Sequence, residues 1–161
     1  MDKDHKLPEP EALNGVRAFH ELFEMPILDE PQIPGPERCA LRVSLLQEEL
    51  NELKQAIEDK DLTEVADALA DLQYVLSGAV LEFGLGSRFK ALFDEVQRSN
   101  MSKACHTMEE AENTRAYYKK ERGVDSFIRQ KGDQYLVFRA GDSKVLKSVN
   151  YSPANLKEII S

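Results

Sequence analysis

Residues 46–71 read LQEELNELKQAIEDKDLTEVADALAD. Two helical repeats meet here at a short polar break. On the near side Leu46, Leu50, Leu53 and Ile57 recur at helical spacing, and a second line, Leu41, Leu45, Glu48, Glu52, starts apolar and ends in carboxylates. On the far side Leu62, Val65, Leu69, Leu72 and Leu76 form an apolar stripe, with Glu64, Asp67 and Asp71 on a line beside it. The spacing predicts helices over Glu37–Glu58 and Leu62–Phe83, and the break at Asp59–Asp61 forces them antiparallel. Pairing positions whose numbers sum to about 119 sets Glu52 against Asp67 and Glu48 against Asp71. Glu49 and Glu64 then lie within a turn of these pairs, because each residue rises about 1.5 Å.

The flanking sequence completes a mainly α chain. Residues 1–9 are polar. Glu11–Glu24 carries Leu13, Val16, Phe19, Leu22 and Phe23 at helical spacing, and four prolines then hold Met25–Pro36 extended. Gly84 and Gly86 stop the third helix. Two more helices are expected over Ser87–Arg98 and Thr107–Arg122, with Ser-Asn-Met-Ser-Lys (99–103) between them. Phe127–Arg129, Tyr135–Arg139 and Val145–Lys147 are β-rich runs separated by Gly-Asp turns, which reads as a small antiparallel hairpin or three-stranded sheet. Ser152-Pro153 is expected to open a final short helix. The length, 161 residues, suits one domain over 1–161, with a helical core at about 11–122 and a β-rich extension at about 125–161.

The charge is uneven. The whole chain carries −8, yet Leu45–Asp71 alone holds nine acidic residues against Lys54 and Lys60, while the stretch from Arg115 onward holds ten basic residues against five acidic ones. An acidic chain does not suit nucleic acid or an anionic membrane surface as partner. Its longest apolar run, around Val75–Leu81, falls far short of the ~20 residues of a membrane span. The first residues, MDKDHK, lack an apolar signal core, and Cys39 and Cys105 stand outside any C-x-x-C pattern. A cytoplasmic, reducing location is the expectation.

Converging carboxylates repel one another. Each like-charge pair at i, i+3 or i, i+4 costs a helix roughly 0.2–0.5 kcal/mol. Either their pKa values rise or a cation binds. These two helices contain no histidine, so the donor set is oxygen only, which suits Mg²⁺, Mn²⁺ or Ca²⁺. The Ca²⁺-loop spacing D-x-[DN]-x-[DN]-G is absent. Mg²⁺ commonly shares its shell with substrate phosphates, which points to a nucleotide or diphosphate ligand. A solvated acidic face is the plain alternative. Against it, Glu48 and Glu52 continue an apolar line instead of lying opposite one.

At these residues the sequence resembles the all-α nucleoside triphosphate pyrophosphohydrolases, the MazG-like and dimeric dUTPase-like superfamily. The resemblance rests on Glu48-Glu49-Leu50-Asn51-Glu52, an 11-residue gap, Glu64-Val65-Ala66-Asp67, and the later SNMSK. It implies Glu49, Glu52, Glu64 and Asp67 as Mg²⁺ ligands, with Mn²⁺ as a substitute, and Glu48 as the residue that orients or deprotonates the attacking water. Asp71 is an additional ligand or an outer partner of the site. Asn100 and Lys103, and from the family's tail Lys144 and Lys147, are implied as triphosphate contacts. Arg42 reads as an ion-pair partner near the cluster, Tyr74 as core, and both cysteines as buried small hydrophobes. The implied reaction splits a (deoxy)nucleoside triphosphate such as dUTP into monophosphate and pyrophosphate. The rival readings are a non-catalytic acidic helical dimer that serves interaction or nucleotide binding, and a phosphoribosyl-ATP pyrophosphohydrolase. The two lines of Glu37–Glu58 exceed what one hairpin buries, so a four-helix bundle completed by a homodimer is expected.

Overall fold

A computed structural model describes residues 7–161; most of the polar stretch 1–9 lies outside the described residues. The chain is mainly helical. Helices α1 (Ala12–Leu22), α2 (Pro36–Asp59), α3 (Leu62–Glu82), α4 (Phe89–Met101) and α5 (Met108–Arg122) precede strands β1 (Ser126–Lys131) and β2 (Gln134–Arg139) and a short α6 (Lys157–Ile160). The fold divides between Phe89 and Lys90 into two compact units. No helix among the described residues is long and apolar enough to cross a membrane.

In the first unit α2 and α3 pack as the antiparallel hairpin that residues 46–71 predict. Two residues make the turn. Lys60 takes the left-handed conformation (φ 56°), and its amide reaches the Ala56 and Ile57 carbonyls that α2 leaves open. Asp61 then caps α3, its carboxylate accepting from the amides of Thr63 (2.9 Å) and Glu64 (3.2 Å). Pro36 opens α2 at a position where its missing N–H costs nothing. The proline-rich connector runs extended past the end of α3, with Leu28 N donating to Leu81 O and Gln32 N to Phe83 O. Gly84, at φ 68°, permits this close approach, since a Cβ there would stand 1.9 Å from the Glu30 carbonyl oxygen.

The core of this unit is built from Val16, Ala56, Ala68, Val80 and Leu81. The apolar stripes of the hairpin do not all enter it. Leu46 and Leu53 are half-buried, whereas Val43, Leu50 and Ile57 on α2 and Leu62, Leu69 and Leu76 on α3 are between 41% and 79% exposed. Each trio recurs every seven residues. By the hairpin's numbering Val43 lies level with Leu76, Leu50 with Leu69, and Ile57 with Leu62, so three apolar rungs line one side of the hairpin.

In the second unit α5 packs on both strands of the β1–β2 hairpin. Thr107 caps α5 by accepting from Glu110 N, and the Glu110 carboxylate reaches back to the His106 amide at 2.9 Å. The strands pair from Ser126–Arg139 to Lys131–Gln134, closed by Gly132-Asp133 with Gly132 at φ 62°. Cys105, Ala111, Val137 and Leu146 form the core, flanked by Tyr118, Val124, Ile128 and Tyr135.

Of the hairpin and the three-stranded sheet expected at the β-rich end, the hairpin forms: Val145–Lys147 adds only the Val145 bridge to Phe138, because Asp142 and Ser143 turn the chain away after β2. Two sequence expectations need correction. Pro153 does not open the last helix; α6 begins at Lys157, after a non-helical stretch. Helix α4 runs on through Ser99, Asn100 and Met101, past the end expected at Arg98.

Candidate active site

Glu49 is the centre of the hairpin's acidic side. It is half-buried, and its Oε2 is sealed from solvent with no hydrogen-bond partner. Its carboxyl is pushed above the ordinary range, first by burial, then by the charges of Glu52, Asp71, Glu48 and Asp67. These four neighbours come from both helices, so the structure brings together Glu48, Glu49 and Glu52 of α2 with Asp67 and Asp71 of α3. Glu64 lies on the same line of α3, one turn before Asp67. Glu48, Glu52, Glu64 and Asp67 are exposed, and Asp71 is half-buried.

Among the described residues no three acidic, histidine or cysteine side chains close into a ready-made metal cage. The donor set nonetheless fits a hard divalent cation. It is all oxygen, it carries a buried carboxylate oxygen with nothing to bond to, and the mutual repulsion is of the sign that a cation relieves.

Two turns before Glu49, a buried ion network joins the two helices. Glu82, 1% exposed, accepts from Arg38 Nε at 3.0 Å and pairs with Arg38 Nη2 and Arg42 Nη2. Arg42, 4% exposed, also points Nη2 at His20 Nε2 (3.4 Å), while His20 Nδ1 donates to Pro26 O at 3.0 Å. That pattern assigns the proton of a neutral His20 to Nδ1. Burial on its own would raise the Glu82 carboxyl, but the two arginines outweigh it and hold the group below the ordinary range. Gly78 makes room: a Cβ there would lie 2.6 Å from Arg42 Nη1. Arg42 therefore pairs with Glu82 and not with the acidic cluster. Sequence reasoning missed Glu82, Arg38 and His20 as partners. The available signal was a lone carboxylate in the apolar run GAVLEFGL.

Tyr74, expected in the core, is 42% exposed. Its ring stands edge-on to Phe19 with centroids 5.7 Å apart, and Phe19 packs on Phe23 at 4.4 Å. This aromatic surface begins one turn beyond Asp71. Cys105 is buried as expected, whereas Cys39 is half-buried and donates to Pro34 O; both thiols are free.

The residues that the resemblance implies as phosphate contacts lie in the second unit. Lys103 Nζ donates to Asn100 Oδ1 at 2.8 Å. Lys147 Nζ sits 4.3 Å from the Tyr151 ring centroid, and Tyr151 Oη bonds buried Ser99 Oγ at 2.9 Å. The Tyr151 phenol is lowered chiefly by the Ser99 bond, against burial, and further by the charges of Lys147 and Lys103. Asn100, Lys103 and Lys147 thus form one neighbourhood around Tyr151. Lys144 sits at the Asp142 turn, its amide donating to Asp142 and its carbonyl accepting from Arg139 N.

Residues 16–100 match the family model of phosphoribosyl-ATP pyrophosphohydrolase. The matched stretch includes the whole α2–α3 hairpin with Glu48, Glu49, Glu52, Glu64, Asp67 and Asp71. The chain belongs to this family, a branch of the MazG-like all-α nucleoside triphosphate pyrophosphohydrolase superfamily. It is also 30% identical over 82 residues to an uncharacterized protein of Acanthamoeba polyphaga mimivirus. That similarity covers 51% of this chain and 31% of the viral protein.

Proposed function

We propose that the chain is a Mg²⁺-dependent pyrophosphohydrolase of a (deoxy)nucleoside triphosphate such as dUTP, releasing the monophosphate and pyrophosphate. The observation that carries this reading is Glu49: a half-buried, unpartnered carboxylate faced by acidic side chains from two antiparallel helices, inside the stretch that matches a pyrophosphohydrolase family. Glu49, Glu52, Glu64 and Asp67 would hold the metal, with Asp71 as a further ligand or as support, and Mn²⁺ would serve in place of Mg²⁺. When bound, the cation offsets phosphate charge and acidifies water. Glu48 takes the proton from the attacking water or aligns it. The hairpin fixes these groups before substrate arrives, so catalysis comes from positioning and charge neutralisation. Asn100, Lys103, Lys144 and Lys147 are assigned to the phosphates by their charge and hydrogen-bonding capacity. Phe19 and Tyr74 offer a nucleobase an aromatic surface beside Asp71.

The apolar rungs are assigned to a second copy of the chain. A seven-residue repeat on both helices of a hairpin is self-complementary about a two-fold axis, and a homodimer would bury it as a four-helix bundle. Two free cysteines suit a reducing, cytoplasmic setting.

The family match favours one second reading, phosphoribosyl-ATP as substrate. Both readings break the same α–β phosphoanhydride. A panel of deoxynucleoside triphosphates and phosphoribosyl-ATP at fixed Mg²⁺, assayed for pyrophosphate, separates them. A chain that binds nucleotide and metal but turns over none of these would instead be a non-catalytic binding module.

A further inference from the structure

The family match ends at residue 100, so α5 and the β1–β2 hairpin lie outside it. The two edges of that hairpin differ. In an antiparallel pair alternate residues turn their amide and carbonyl outward. On β2 these are Tyr135, Val137 and Arg139, and the chain covers them. Tyr135 exchanges two bonds with Cys105, Val137 O accepts from Leu146 N at 2.8 Å, and Arg139 N donates to Lys144 O at 2.9 Å. The residues opposite them on β1 are Gln130, Ile128 and Ser126. Among the described residues the outward groups of these three meet a single partner, Arg115 Nε, which donates to Ser126 O at 3.1 Å and leaves that oxygen a second lone pair. The outer edge of β1 is open.

Charged side chains commonly keep such an edge from pairing. Arg129 and Lys131 are the charges on β1. Neither has a carboxylate partner among the described residues, and Arg129 lies over the rings of Phe127 and Phe138, 5.9 and 5.3 Å from their centroids. Yet residues 125–131, Asp-Ser-Phe-Ile-Arg-Gln-Lys, are complementary to their own reverse. Laid antiparallel on a second copy about Ile128, the strand sets Lys131 opposite Asp125, Gln130 opposite Ser126, Arg129 opposite Phe127, and Ile128 opposite itself. These are an ion pair, a polar pair, a cation beside a ring and an apolar pair, each favourable across strands. Asp125 is exposed, and its own Lys119 engages one carboxylate oxygen at 2.8 Å. The same register pairs all three outward residues of both strands. A shift of two residues one way puts Arg129 against Arg129, and the other way leaves Gln130 unpaired.

We propose that β1 pairs edge to edge with β1 of a second copy about a two-fold axis at Ile128, joining two hairpins into one four-stranded antiparallel sheet. This contact is separate from the apolar rungs of the first unit and from the hydrolytic site. Three hydrogen-bonded residues a side bury far less than a standard interface of about 1,600 Å², so the contact forms in concentrated protein, and dilute protein keeps the mass that the rungs set.

The test joins register-specific cross-linking to amide hydrogen exchange on the full chain. Asp125→Cys and Lys131→Cys, each made together with Cys39→Ser, are mixed under mild oxidation. Position 131 lies opposite position 125 of the other copy with Cα atoms about 4.5 Å apart, within disulfide reach. It lies about 20 Å along the strand from its own counterpart. The mixture should therefore cross-link at least tenfold faster than either variant alone. In concentrated protein the amides of Ile128 and Gln130 should exchange at least tenfold more slowly than in dilute protein. Lys131→Glu, which sets two acids opposite each other, should weaken that slowing, and Leu69→Glu, which acts on the rungs, should leave both readouts intact. Equal cross-linking in the mixture and the single variants, exchange that does not change with concentration, slowing unaltered in Lys131→Glu, or loss of either readout in Leu69→Glu would each overturn the proposal. So would slowing that appears only on adding an acidic extended peptide, which would give the edge to a foreign strand.

Discussion

Replacing Glu82 by Gln keeps the shape of the buried network and removes its only negative charge. Arg42 is 4% exposed and Glu82 1% exposed, so neither charge has water to fall back on. Arg38 retains partial access to solvent and relaxes at little cost. Arg42 has no such escape, because Gly78 and His20 close over it and its Nε already lacks a partner. Breaking a buried pair from one side costs about 3–5 kcal/mol, since the other charge is left uncompensated. Against a whole-domain stability of about 5–15 kcal/mol this is about a fifth or more of the total. At about 2–4 °C per kcal/mol for a chain of this size, Tm should fall by roughly 6–20 °C. The Glu82 contribution also has a defined pH sign. Its folded pKa lies below the unfolded value near 4.3, so the stabilisation is intact above that pH and is lost as acid takes the pH through the folded pKa. Urea denaturation of both proteins at pH 7 and across the acid range measures both effects. A loss below about 1 kcal/mol at pH 7, or an unchanged acid limb in Glu82→Gln, would refute the reasoning.

Glu49 has the opposite sign. Its folded pKa is raised, so between the unfolded and folded values the native state binds more protons and stability falls as pH rises. Metal-free Glu49→Gln should therefore be more stable than the parent at pH 7 and should lose that pH dependence; calorimetric melts in EDTA would show it, and lower stability at every pH would contradict it. Gly84→Ala should destabilise by at least about 2 kcal/mol, because its Cβ meets the Glu30 carbonyl at 1.9 Å from a left-handed backbone; chemical denaturation reads this directly. Leu69→Glu places a charge in the middle apolar rung, and light scattering should report a dimer for the parent and a monomer for the variant; an unchanged mass would remove those rungs from the proposed interface.

The hairpin was legible because its information is local. A capping aspartate at Asp61, a two-residue turn and two helical periods determine one antiparallel pairing, and that pairing carries Glu49 to Asp67 and Asp71 whatever the rest of the chain does. The apolar lines were legible as helix but not as core. Sequence period identifies a stripe, and only packing decides that Ala56 and Ala68 enter the interior while Leu50 and Leu69 stay outside. The buried network was invisible for a related reason: Arg38 and Glu82 are 44 positions apart, and nothing local pairs them. Val145–Lys147 has strand composition, yet the Asp142–Ser143 turn leaves it a single bridge to β2, which no propensity reveals.

The most direct measurement is pyrophosphate release from deoxynucleoside triphosphates and phosphoribosyl-ATP by the purified chain, with Mg²⁺ and with EDTA, in the parent and in Glu49→Gln. The account predicts equimolar monophosphate and pyrophosphate from at least one substrate, only with Mg²⁺, and none from the variant. Release that persists in EDTA or in Glu49→Gln, or none from any substrate with Mg²⁺ present, would contradict it.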